Sequence, residues 1–173
     1  MKIKTMLCVF VGLLPALHLK AQSDLKRLVP DIYKYILIDT ANKEHSLKEY
    51  KGKYIYLDIW ASWCYPCRKE YPLLEAMIAK LDTSKVKVIS ISIDHQSKGM
   101  TGPSWRWMGA LKGYSMKGTQ WCVTDTTMEK DYKIDQIPRF ILLNPDGTVK
   151  EMNTTRPSNP ETLGKLNKLL ITK

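Results

Sequence analysis

Cys64 and Cys67 stand three residues apart in the segment Trp63-Cys64-Tyr65-Pro66-Cys67. Cysteines at that spacing can do two kinds of chemistry. Where they open a helix, the first sulfur is favoured as an anion by the helix N-terminus, and the second lies one turn on, close enough to close a disulfide ring. Alternatively they form half of a tetrahedral zinc site, which needs two further soft ligands. Beyond the N-terminal leader the chain offers only Cys122, His45 and His95 for that purpose, all scattered, so the pair points to thiol-disulfide chemistry. In such exchange the thiolate attacks. Cys64 at the helix start, with a pKa lowered into the range of roughly 3.5 to 7.5, is the expected exposed nucleophile. Cys67, shielded beneath it, is the expected resolving group.

The elements that must position this pair can be read on both sides of it. Tyr54 to Ala61 is a nearly continuous apolar run, the pattern of a strand buried on both faces of a parallel sheet, and Asp58 is its one charge. Residues 64 to 81 carry Leu73, Leu74, Met77, Ile78 and Leu81 at helical spacing, with Pro72 predicting a kink. Val86 to Ile93 is a second buried strand. Together these predict a right-handed βαβ unit and an α/β class, with the cysteines where a central strand turns into a helix.

The rest fills in around that unit. Tyr33 to Asp39 predicts a peripheral first strand, and residues 94 to 104 a loop. Ser104 caps an expected helix from Trp105 to Lys112, followed by a strand over Thr119 to Thr124 and a short helix over Glu129 to Ile134. Phe140 to Leu143 and Thr148 to Met152 flank Asn144-Pro145-Asp146-Gly147, a hairpin turn that makes the sheet mixed. Asn159-Pro160-Glu161 opens a last helix with Leu163, Leu166 and Leu170 as its apolar stripe.

At the N-terminus, Lys2 and Lys4 precede an apolar run from Met6 to Leu19 that is short for a bilayer span. Residues 1–21 are read as a secretory signal cleaved after Ala21, leaving one domain over residues 22–173. An uncleaved anchor is the alternative. Export would put the remaining three cysteines in an oxidising setting, with one unpaired. Removing the leader takes three lysines and no acid from a formal charge of +10. The remaining charge is dispersed, with no basic run interleaved with aromatics, which argues against a nucleic-acid partner.

The stretch from Asp58 to Cys67, with Pro72 five residues further on, resembles the active-site strand, turn and helix of the thioredoxin superfamily. Ile137-Pro138 resembles that family's cis-proline loop, which holds an incoming extended chain. The leader, the Cys67-Arg68-Lys69-Glu70-Tyr71-Pro72 stretch and the segment 94–120 are most similar to the TlpA/ResA-type extracytoplasmic branch. This resemblance implies a thioredoxin-like fold, a central mixed sheet flanked by helices with an insertion after the βαβ unit, and no cofactor or metal. It implies thiol or disulfide client proteins outside the cytosol and a membrane-borne thiol donor. By the same resemblance Cys64 and Cys67 form the redox disulfide, and Trp63, Tyr65, Pro66, Ile137 and Pro138 meet the client.

Two acids gain meaning from the resemblance. Asp58 matches a buried aspartate that can take the proton from Cys67, and a carboxyl in an apolar strand has a raised pKa, near what a base at neutral pH requires. Its plainer reading is an aspartate satisfied by a core hydrogen bond. Glu70 matches an acid that tunes the cysteines, its plainer reading being a helix-surface glutamate. Cys122 fits a buried strand as a small apolar group. Trp105, Trp107, Met108 and Leu111 read either as core or as a partner groove.

The Tyr65-Pro66 dipeptide lacks the histidine of strongly oxidising exported members, which leans toward a reductant or a poised exchanger; the alternatives are a disulfide-donating oxidase and a thioredoxin-fold binding module without redox turnover. Peroxidases of the same fold carry Pro and Thr where this chain has Leu57 and Ala61. A copper carrier would favour a wider cysteine spacing and a later histidine, and none follows His95.

Overall fold

The computed structural model describes residues 30–95 and 102–169; the expected signal segment over residues 1–21 lies outside them, as do Leu170 and part of the expected 94–104 loop. The centre of the molecule is β3, Tyr54–Trp60, six of whose seven residues are buried. It pairs in parallel with β4, Val86–Ser92, from Tyr54 opposite Val86 to Trp60 opposite Ser92. Between them runs α1, Tyr65–Ile78, so the expected βαβ unit is formed. On its other side β3 pairs antiparallel with β6, Arg139–Leu143, which turns through residues 144–148 into β7, Val149–Glu151. Gly147 has φ +85°, and a Cβ there would run into the Tyr33 ring, so both backbone and space call for glycine.

Beyond β4 lie β5, Gln120–Val123, then β1, Leu37–Ile38, and β2, Glu44–His45. The order β2-β1-β5-β4-β3-β6-β7 makes a seven-stranded mixed sheet. The helices α2, Trp105–Gly113, α3, Thr127–Asp131, and α4, Glu161–Lys168, complete the fold.

The N-terminal strand is shorter than its β-rich composition predicts. Asp31 accepts a hydrogen bond from the Tyr33 N–H and starts a 3-10 turn over Ile32–Lys34, leaving only Leu37–Ile38 to pair. A second 3-10 turn, Leu47–Tyr50, is set by a capping box between Ser46 and Glu49.

Tyr56, Asp58 and Trp60 share one face of β3 by the strand's period of two. Tyr56 packs with Leu74 and Met77 of α1, Phe140 and Leu142 of β6 and Leu166 of α4. Trp60 packs with Cys64, Cys67, Cys122, and Trp107 and Leu111 of α2. Each large side chain so buried contributes about 1.5–3 kcal/mol, and the two clusters fix α1 along the sheet with its N-terminus over the end of β3. Within α2 the residues divide: Trp107 and Leu111 are core, whereas Trp105 and Met108 face solvent.

Candidate active site

The turn joining β3 to α1 is short and tied down. The Cys64 N–H donates to the Ala61 carbonyl at 3.0 Å, and the Ile93 N–H to the Trp60 carbonyl at 2.9 Å. Cys64 is the N-cap of α1, and its Sγ accepts the Cys67 N–H at 3.2 Å, so a helix-end donor with no partner in the helix points at this sulfur. Pro66 falls in the first turn, where a missing N–H costs nothing. Cys64 and Cys67 are bridged, with S–S 2.00 Å and Cα atoms 5.3 Å apart. In this bridged form both are buried, at 4% and 5% exposure, so Cys64 does not have the access expected of an attacking thiolate. The bridged pair belongs to the buried cluster that includes Trp60, Trp107 and Leu111. Trp63 and Tyr65 stand out on either side at 64% and 59% exposure, with Pro66 also exposed.

Ahead of β6 the Ile137–Pro138 peptide is cis, both residues are half-buried, and Ile137 packs against the cluster that holds the two cysteines. Chain segments 70 residues apart thus meet at the pair.

Asp58 lies on the α1-facing side of β3, between Tyr56 and Trp60, and is buried. Its carboxyl accepts a hydrogen bond from the hydroxyl of Ser90, its register partner on β4, at 2.9 Å. Burial pushes its carboxyl up to about 7; the Ser90 bond works against this and the Glu70 charge adds to it. Glu70 is not a helix-surface residue. Its carboxylate accepts the Ser158 N–H at 2.9 Å and the Ser158 hydroxyl at 2.7 Å, with the Arg156 guanidinium at 3.7 Å. The Tyr56 hydroxyl donates to the Thr155 carbonyl at 2.7 Å, so the segment 155–158 is tied to both the strand and the helix beside the acid pair.

Three residues near the pair were not anticipated. Asp94, buried just past β4, accepts the Ser62 N–H and hydroxyl, each at 2.6 Å, and the Ser92 hydroxyl at 2.7 Å. It therefore holds Ser62, two residues before Cys64. Arg68 donates to the Ser62 carbonyl at 3.0 Å from the helix side. An acid directly after a buried strand was the available signal for Asp94; the pairing with Ser62 has none. Cys122 donates to the Asp94 carbonyl at 3.3 Å, and burial pushes its thiol up to about 12, which keeps it neutral. Among the described residues no group of three or more His, Cys, Asp and Glu side chains converges as metal ligands do.

A model of the AhpC/TSA family matches residues 26–152, most of the chain. The chain belongs to the AhpC/TSA family. Its curated relatives include the thiol-disulfide oxidoreductase ResA of Bacillus subtilis, 25% identical over 124 residues, which are 72% of this chain and 65% of that one. The matched stretch is thus just under two thirds of that relative's length. ResA of Bacillus cereus is 25% identical over 135 residues, 78% of this chain and 74% of that one. Among solved structures, a Bacteroides vulgatus protein described as a thiol-disulfide oxidoreductase is 39% identical, with a TM-score of 0.69 over 84% of this chain and 92% of that one. A second from the same organism is 28% identical with a TM-score of 0.68, covering 82% and 97%. This AhpC/TSA member therefore has the thioredoxin-like fold expected from residues 58–72 and is similar to proteins described as thiol-disulfide oxidoreductases.

Proposed function

We propose that this protein is an exported thiol-disulfide oxidoreductase that reduces disulfides in other exported proteins. The observation that carries the reading is the Cys64–Cys67 bridge at the start of α1, with the Cys67 N–H directed at the Cys64 sulfur beneath an exposed aromatic rim. In the reduced protein that N–H and the helix end favour a thiolate on Cys64. The thiolate attacks one sulfur of a client disulfide; the S–S bond breaks, a mixed disulfide forms, and the client's other sulfur leaves as thiolate and takes a proton. Cys67 then loses its proton and attacks the Cys64 sulfur, which restores the bridge and releases the second client thiol. The client gains two electrons and two protons, and the pair loses them.

Asp58 is the proton acceptor for Cys67 in this reading. It lies on the same β3 face as Trp60, which shares a buried cluster with Cys67, and its pKa near 7 lets it take a proton and give it back at neutral pH. Glu70 raises the pKa of Asp58 by its charge and so tunes the pair. Trp63, Tyr65, Pro66, Ile137 and Pro138 form the surface that the client chain meets. No cofactor takes part. The basic, then apolar leader over residues 1–21 supports export, and a membrane-borne thiol donor would return the bridge to its dithiol form.

The test is the reduction potential of the pair in the mature protein with Cys122→Ala, equilibrated against glutathione or dithiothreitol buffers. A value below about −220 mV fits a reductant, whereas one near about −120 mV would make the protein a disulfide donor. Failure of Cys64 and Cys67 to bridge reversibly would remove the exchange reading altogether.

A further inference from the structure

The first two turns of α1 carry two cations that no acid answers among the described residues. Arg68 lies with its guanidinium 5.7 Å from the Tyr65 ring centroid and 5.1 Å from that of Tyr114, while the Lys69 ammonium lies 4.8 Å over Tyr65. Among the described residues neither forms an ion pair. Elsewhere Lys34, Arg139, Arg156 and Lys165 all meet carboxylates, and the nearby Glu70 is turned inward to Ser158 and Arg156. Tyr65 and Tyr114 are half exposed or more, so this cation-aromatic patch is open to solvent and continuous with the rim over the disulfide.

From this we infer that the rim selects clients carrying an acidic residue close to the cysteine under attack. The inference rests on the exchange reading above and names its client class. The two rings confine the Arg68 guanidinium, and its bond to the Ser62 carbonyl fixes one edge, so a carboxylate meets a fork already ordered. The reach is set by geometry. Arg68 is four residues past Cys64, about 6 Å along the helix axis. That is the span of about two residues of an extended chain. The favoured client therefore has Asp or Glu about two residues from its cysteine, with Lys69 extending the field past that point. Such an acid meets positive charge, whereas a lysine there meets repulsion.

Three peptides with the same internal disulfide and Asp, Ser or Lys two residues from the attacked cysteine distinguish the possibilities, each reduced by the dithiol form of the full mature protein. The expected order of rates is Asp, Ser, Lys, with the extremes about fivefold apart at low ionic strength, the scale of one or two exposed charge contacts. The spread should shrink as salt is raised toward about 1 M, where the screening length is about 3 Å. Lys69→Glu should flatten or invert the Asp-to-Lys ratio, whereas Lys80→Glu, beyond the far end of α1, should not change it. Equal rates for the three peptides overturn the inference and leave exchange standing. A ratio indifferent to salt, or flattened equally by Lys80→Glu, also overturns it. If even the Ser peptide is not reduced, the exchange reading falls as well.

Discussion

Burial holds the Asp58 carboxyl at about 7 against an ordinary 3.8, and the sign of its effect on stability follows. Between about pH 4 and 7 the unfolded chain loses this proton while the folded chain keeps it. Stability therefore falls as pH rises through that window, and the loss is complete above it. Asp58→Asn keeps an oxygen for Ser90 and removes the penalty. At pH 8 the variant should be more stable than the parent by up to about 4 kcal/mol, and at pH 4 the two should converge, as read by urea unfolding in one fixed redox state. If Asp58 serves as base, the same variant should also slow release of the mixed disulfide by about a hundredfold at neutral pH. A stability gain without that slowing would leave Asp58 a hydrogen-bonded core acid. Cys122 gives the opposite kind of signature: with its thiol pushed up to about 12, it should resist alkylation at pH 8 until the protein is unfolded. Mass mapping of the labelled native protein checks this.

At the scale of elements, what positions the cysteines is the clamp between the end of β4 and the β3–α1 turn. Asp94→Ala would leave the Ser62 N–H and two hydroxyls without their acceptor, a cost of about 1–3 kcal/mol. The turn should loosen before the fold does, so hydrogen exchange at the Ser62 amide should quicken more than at β3 amides such as Leu57. Equal quickening at both would mean general destabilisation instead. This clamp also marks where sequence reasoning stopped. The runs of β3 and β4, the heptad-like spacing in α1 and the Asn144–Gly147 turn were legible because each pattern is local and repeats with its element's period. The short reach of β1 was not, because the Asp31 cap competes with a β-rich run, whereas the Ser46–Glu49 box is itself a local pattern of a cap residue with an acid three residues on. Within the site, the cysteine pair declared itself by spacing. The partners of Glu70 did not, since Ser158 lies 88 residues away and nothing in the composition of either segment requires the contact.

For the molecule as a whole, the redox state and the fold are linked through one cycle. Folding that lowers the reduction potential of the pair must stabilise the bridged form over the dithiol form by the same free energy, about 1.4 kcal/mol for each 30 mV. The bridge is packed among Trp60, Trp107 and Leu111, and its two sulfurs are withdrawn from water, an arrangement that suits the bonded pair better than a buried thiolate. A protein that works as a reductant should then be more resistant to urea when oxidised than when reduced. Unfolding of the Cys122→Ala protein in both states measures the difference, and it must agree with the potential obtained from thiol buffers. Greater stability in the dithiol form would mean that the help the helix end gives the Cys64 thiolate outweighs the packing of the bridge, and electrons would then flow from client to protein.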